Sequence, residues 1–245
     1  MKFKYDFHIH SCLSPCGGED MTPNNIAGMA MLSGINVLAL TDHNSVKNCP
    51  AFFEACRKVG IVPIAGMELT TSEDIHMVCL FPTLEAAMEF GAFVDENRMK
   101  IDNRPDIFGE QIIMNGDDEE IGREESLLIF ATDLDVISAA RIVRERGGVA
   151  YPAHIDKQSN GIIAILGDIP AEAGFTSAEV RDAAKIAELR EKYPILKNML
   201  IVSDSDAHAL ETMSIDPPEI ELEADSNDEF LVRNAIIAKL RGEIR

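Results

Sequence analysis

The sequence predicts an α/β fold with mostly parallel strands, and three observations lead there. Short apolar runs of strand length alternate with longer helical patterns in the order β-α-β-α-β over the first hundred residues. Glycine- or proline-bearing turns separate them. Side chains able to bind metal recur at the ends of those runs from residue 8 to residue 208, as a parallel barrel presents residues at its catalytic face.

Taken in order, residues 3–10 alternate and read as a strand. Thr22 caps a helix with Pro23 in its first position, ending near Ser33-Gly34. Ile35 to Leu40 is continuously apolar, as in a strand buried on both faces. A helix over 49–59 ends at Gly60, a strand runs from Ile61 to Ala65 and closes at Gly66-Met67-Glu68, and another runs from Ile75 to Phe81. Thr83 caps a helix over 83–100. Residues 102–126 break the rhythm: Asn103-Arg104-Pro105 flanks a linker, and the acidic run after Asn115-Gly116 is a hairpin tip or a solvated loop. A helix from Thr132-Asp133 to Arg146 stops at Gly147-Gly148, and Val149 to Pro152 is a strand. Then come a helix over 177–192, strands over Asn198–Val202 and 218–222, and a final helix over 227–241. No repeat or Gly/Ser linker divides the chain, so residues 1–245 read as one domain with 102–126 inserted.

Composition narrows the function. Nothing resembles a membrane span or a signal-peptide core, which makes the cytoplasm the expected location. Five cysteines, an odd number without a C-x-x-C pair, suit reduced thiols. The net charge is −20 and no cluster of basic residues occurs, so a long nucleic acid gripped through its phosphates is not expected. A small anion remains compatible, because two or three divalent cations add about +4 to +6 locally.

The chemistry is concentrated in the histidines. All six fall in five segments: His8-Ile9-His10, Asp42-His43, His76, Pro152-Ala153-His154 and Asp206-Ala207-His208. Alternation puts His8 and His10 on one face of a strand, within reach of one ion, and Asp206 and His208 repeat that spacing. Asp42 and His43 are adjacent, so His43 is the expected ligand, while Asp42 orients a histidine or shares in the site. Glu68 ends an apolar strand, where a carboxylate needs a partner; bridging two metals would supply one. His76 competes with an ordinary core histidine, and His154 reads as a strand-end ligand. Such a set points to a multinuclear centre and to hydrolysis.

Asp6-Phe7-His8-Ile9-His10-Ser11, Leu40-Thr41-Asp42-His43, Gly66-Met67-Glu68, Pro152-Ala153-His154 and Ser203-Asp204-Ser205-Asp206-Ala207-His208 together resemble the motifs of the PHP (polymerase and histidinol phosphatase) superfamily. The resemblance covers residues 3 to about 210. It implies a distorted (β/α)7 barrel with a di- or trinuclear centre of manganese, zinc or iron, and phosphate-ester hydrolysis. It also implies that His8, His10, Glu68 and Asp206 hold one ion, that Glu68 bridges to a second bound by His76 and His154, and that His43 and His208 hold a third. The chain departs from the family after the H-x-H pair, where Ser14-Pro15-Cys16-Gly17-Gly18-Glu19-Asp20 leaves Asp20, Glu19 or Cys16 to complete the third site, Asp20 being preferred.

The expected reaction is attack in line on phosphorus by a metal-bound hydroxide, with Glu68, Asp42 and His208 in catalytic roles. Lys157 is the expected substrate contact and Arg123 a second. The expected partner is a small phosphorylated metabolite, a nucleotide or a short oligonucleotide end; the sequence is silent on oligomeric state. Two other readings compete. An amidohydrolase-like barrel acting on a C–N bond also uses H-x-H, but many such barrels bridge their metals with a lysine, and none stands at a matching place. A non-catalytic metal-binding module would keep the fold and show no turnover.

Overall fold

The structure, a computed structural model, describes residues 1–223 and 228–244. Its strands are β1 (Lys2–Asp6), β2 (Val37–Leu40), β3 (Val62–Thr70), β4 (His76–Phe81), β5 (Ile112–Met114), β6 (Glu120–Arg123), β7 (Val149–Pro152), β8 (Ser177–Glu179), β9 (Leu200–Val202) and β10 (Glu219–Glu221). The helices are α1 (Pro23–Leu32), α2 (Cys49–Lys58), α3 (Leu84–Glu96), α4 (Pro105–Phe108), α5 (Val136–Glu145), α6 (Ile162–Leu166), α7 (Ile186–Lys192) and α8 (Glu229–Leu240). None of them is long and apolar enough to cross a membrane.

Seven strands make the wall of a distorted barrel. β1, β2 and β3 pair in parallel, β4 joins β3 and β7 in antiparallel register, and β8 pairs with β9 in parallel. Two short links close the circuit: the Ile155 N–H donates to Glu179 O beyond β7 and β8, and Ile9 bridges Ala207 beyond β1 and β9. β10 lies outside the circuit, antiparallel to β1.

Alternation sorts the side chains. Phe3, Tyr5, Val37, Ala39, Ile64, Val78, Leu80, Val149 and Tyr151 belong to one buried cluster, while Leu38, Leu40, Ala65, Cys79, Phe81 and Ala150 belong to another with the helices. The first cluster is completed by Val232, Ile236, Ile237 and Leu240 of α8. Arg233 of that helix donates to the carbonyls of Pro63 and Pro82, which fixes α8 at the end where β3 begins and β4 finishes. The opposite end is left open for chemistry.

Several expectations change in detail. β4 runs against its neighbours: residues 71–75 are too few for a crossover, which takes a dozen or more, so β3 and β4 form a hairpin. The first strand ends at Asp6 instead of residue 10. Residues 177–179, expected to be helical, are strand because they find a parallel partner in β9. The helix expected from 132 starts at Val136, where Asp135 accepts the N–H groups of Ile137 and Ser138. Thr22 and Thr83 cap α1 and α3 as predicted, accepting from Asn25 N and Ala86 N. Residue 227, the expected start of the last helix, lies outside the described residues.

Residues 102–126 carry the short helix α4 and the β5–β6 hairpin. Ile112 and Met114 pack on Cys12. The Ile112 N–H donates to Cys12 O, and Asn48 ties both ends of β5. Asp118, at the hairpin tip, accepts from Asn24 N, Asn24 Nδ2 and Thr22 Oγ1 at the start of α1.

Candidate metal centre

Glu68 is the hub of the open end. It is 1% exposed, and five imidazole nitrogens surround its two oxygens. His76 Nδ1 lies 2.8 Å away and His154 Nε2 3.1 Å away, both from Oε1, and His8 Nε2 is 3.2 Å from the same atom. His43 Nδ1 at 3.1 Å and His10 Nε2 at 3.2 Å face Oε2. Asp206 Oδ1 completes the group, 3.6 Å from His8 Nε2 and 3.5 Å from His10 Nε2.

The fold explains the convergence. His8 and His10 lie just beyond β1, His43 beyond β2, His154 beyond β7, and Asp206 and His208 beyond β9. His76 begins β4, yet because β4 is reversed its first residue lies at the same end as the last residues of its neighbours. His154 and Asp206 adopt left-handed backbone, φ 30° and 50°. Each such conformation costs about 1–3 kcal/mol for a residue other than glycine, a strain characteristic of functional sites. Behind Asp206 the chain is clamped to β1: Asp204 accepts the Phe7 N–H at 2.7 Å, and Asp6 accepts the Ser205 N–H at 3.1 Å.

Three donor groups are close enough to hold an ion: His8, His10, Glu68 and Asp206; His43, Glu68 and His76; and His10, His43 and His208. The atoms also suit a cation. Glu68 Oε2, His43 Nδ1 and His154 Nδ1 are buried without a hydrogen-bond partner, and an ion placed among Glu68 Oε2 and His43 Nδ1 would satisfy both. Burial and the neighbouring charge on His10 hold the His208 pKa down to about 4, and burial keeps His43 well below the usual imidazole value. Both rings are therefore neutral at pH 7 and carry free lone pairs. Burial opposes the charge on Glu68, but His76 and His8 outweigh it and keep that carboxyl well below the usual range.

The other candidate residues fall in different places. Asp42 is buried and turned away from the cluster. Its oxygens accept from Ser11 N, Ser11 Oγ and Ser14 Oγ, each at 2.7 Å. Ser14 Oγ in turn lies 2.9 Å from His10 Nδ1. The serine has one proton, and it goes to Asp42; the proton of the His10 contact must then sit on Nδ1, and Nε2 is the atom that faces Glu68. Lys157 does reach the site, with Nζ 2.6 Å from Asp206 Oδ2. Cys16 is exposed and lines the outer mouth beside His208 and Lys157. Asp20 and Glu19 are exposed and belong to none of the donor groups. Arg123 is held at the surface by Glu110 and Glu120 and does not line the cavity over Glu68.

Two residues were not anticipated. Glu179, fully buried at the end of β8, lies 2.8 Å from His8 Nδ1 and fixes which His8 nitrogen faces Glu68. The available signal was a carboxylate closing a short run, Ser177-Ala178-Glu179, as Glu68 closes its own. Arg181 places NH1 2.8 Å from Asp206 Oδ2, beside Lys157. Replacing Glu179 by glutamine is expected to weaken metal binding roughly 10–100-fold, the usual loss when a carboxylate behind a ligating histidine is removed. Competition with a chromophoric chelator measures it, and unchanged affinity would show that Glu179 only fills space.

A barrel that gathers six histidines, Glu68 and Asp206 at one end defines a class of protein fitted to bind divalent metal. The chain belongs to the PHP domain family, whose model matches residues 6–200. Among curated relatives, a 5′-3′ exoribonuclease from Haemophilus influenzae is 36% identical over 83 residues, which is 33% of this chain and 29% of that protein. Among solved structures, the lesion-specific endonuclease Q of Pyrococcus furiosus superposes with a TM-score of 0.65 at 18% identity, over 99% of this chain and 56% of that one. An endonuclease Q bound to a 27-mer duplex with an abasic lesion gives 0.60 at 20% identity, over 96% and 56%. The chain thus spans only part of these proteins' lengths.

These comparisons correct the expectation of a small phosphorylated partner and no long nucleic acid. The similar proteins act on nucleic acid, one of them captured on a DNA duplex. The inference from net charge failed because charge sums over the molecule while the field at a pocket is local. Lys157 and Arg181 line the mouth of the site beside Asp206.

Proposed function

We propose that this chain is a metal-dependent phosphoesterase acting on phosphodiester bonds of a nucleic-acid strand. The observation that carries this reading is the position of Lys157 and Arg181, both on Asp206 Oδ2 at the rim of the Glu68 cluster. A substrate phosphate entering there meets two cations in the outer mouth and the nitrogen-rich cluster beneath them.

His8, His10, Glu68 and Asp206 would hold one ion, Glu68 with His76, His43 and His154 a second, and His10, His43 and His208 a third, of manganese, zinc or iron. Bound there, such ions supply Lewis acidity and lower the pKa of water. The chain's own groups do the rest. Glu68 balances the positive charge from a buried position. Asp42, through Ser14, and Glu179 keep the ring nitrogens of His10 and His8 aimed inward. Lys157 and Arg181 orient the phosphate, and His208, 31% exposed at the mouth, is nearest to solvent for proton exchange. Among the described residues no lysine ends a strand beside Glu68, which favours this reading over the amidohydrolase-like one.

The experiment is hydrolysis of labelled DNA and RNA oligonucleotides by the metal-loaded chain across a salt series. Lys157→Ala and Arg181→Ala should each lower the steepness of the log–log salt dependence by about 0.7 on a single strand, as expected when one phosphate is no longer neutralised by the protein. An unchanged slope in both variants would remove them from the substrate path.

A further inference from the structure

The cleft has a second compartment beyond Lys157. α6 and α7 flank a cavity of about 260 Å³ whose apolar side is formed by Ile155, Ile163, Leu189 and Tyr193. Lys157 lines this cavity, the one over Glu68 and the outer mouth with Arg181, so it stands at the junction of all three. Lys185 and Lys192 add to the basic rim, and Lys192 Nζ lies 5.2 Å from the centre of the Tyr193 ring. Two acids also line the space, Asp156 and Glu188. Asp156 is already engaged: its oxygens accept the N–H groups of Arg181 at 2.9 Å and Asp182 at 3.1 Å, and Lys185 Nζ is 3.4 Å away.

We propose that this compartment receives the base of a nucleotide adjoining the phosphate held at the Glu68 cluster. The proposal rests on the nucleic-acid reading above and names a part of the substrate that the reading leaves open. An apolar wall with a rim of three lysines matches one chemistry in particular, a flat uncharged ring joined to an anion on either side. The volume lies just below the about 300–1,000 Å³ of clefts that take drug-sized ligands, so it suits a single nucleoside. Gln158, on the same lining, carries both a donor and an acceptor for a base edge. Apolar and aromatic walls hold bases of any sequence through their faces, while the lysines follow the backbone.

The test is independent of turnover. Adenosine 5′-monophosphate and ribose 5-phosphate are titrated by equilibrium dialysis, in EDTA, into the full chain and into Ala164→Trp. Ala164 is an exposed residue of the cavity lining, so the larger ring fills the space without entering the core. Gln158→Trp, also exposed, is the second filling variant. The nucleotide is expected to bind on the order of tenfold more tightly than the sugar phosphate. Both variants should erase that difference and leave ribose 5-phosphate binding as it was. Equal binding of the two ligands by the unaltered chain, or a preference that survives both tryptophans, would overturn the proposal. A base preference without hydrolysis of any oligonucleotide after metal loading would support the compartment and remove the catalytic reading. Hydrolysis without base preference would do the opposite.

Discussion

Glu68→Ala is expected to abolish hydrolysis while leaving the barrel folded. The side chain is the one anion in contact with five imidazoles, and two of the three donor groups include it. Removing it leaves nitrogen atoms facing one another around a void, with Asp206 as the remaining carboxylate of the donor groups. The loss in kcat/KM should be at least the roughly 10²–10³-fold seen when a single preorganised electrostatic group is removed, and larger if an ion goes with it. Glu68→Gln should behave almost as badly, because an amide keeps the shape but presents an uncharged group where a bound cation requires an anion. Steady-state kinetics at saturating manganese, with circular dichroism as the check on folding, measure this. A loss smaller than about tenfold in both variants would mean that Glu68 is peripheral.

Metal removal should be the largest single effect on stability. An ion that binds the folded chain and not the unfolded one stabilises it by about 4 kcal/mol when free metal exceeds its Kd a thousandfold. For a chain of this size each kcal/mol moves Tm by about 2–4 °C, so stripping one such site should lower Tm by roughly 8–16 °C, and more if two sites are emptied. The strained backbone at His154 and Asp206 adds to the expectation, since ligand contacts help to hold those conformations. Thermal denaturation in EDTA and in manganese gives the difference. An identical Tm in both would rule out a tightly held ion, and the shift should shrink in Glu68→Ala, which disrupts two of the three donor groups.

Much of this arrangement was legible in the sequence because strand-end residues announce themselves. A histidine or carboxylate at the end of an apolar run must either pair or pay for its burial; Glu68 and His154 follow such runs directly, and His43 and His208 within a few residues. The reversal of β4 was legible too, in the five residues separating it from β3, too few for a parallel crossover; the alternation of apolar runs alone carries no strand direction. Glu179 was hidden because its strand has three residues and sits before a charged stretch whose local pattern is helical. Its strand character comes from β9, twenty-three residues away at Leu200↔Ser177, a pairing that no local window contains. Arg181 carries no local signal of a site residue; the turn after β8 brings it to Asp206. The route from Asp42 through Ser14 to His10 depends on a loop conformation that spacing does not reveal.

If the Glu68 cluster is a metal-dependent phosphodiesterase centre, cleavage must rise and fall with its metal. An end-labelled oligonucleotide is incubated with chain stripped in EDTA and then titrated with manganese, and bound metal is counted in the same samples. The stripped protein should not cleave. Activity should return in step with occupancy, up to two or three ions per chain, and should stay absent in Glu68→Ala at any occupancy. Cleavage that persists without metal, or two bound ions with intact folding and no cleavage of DNA or RNA, would show that the cluster is not such a centre.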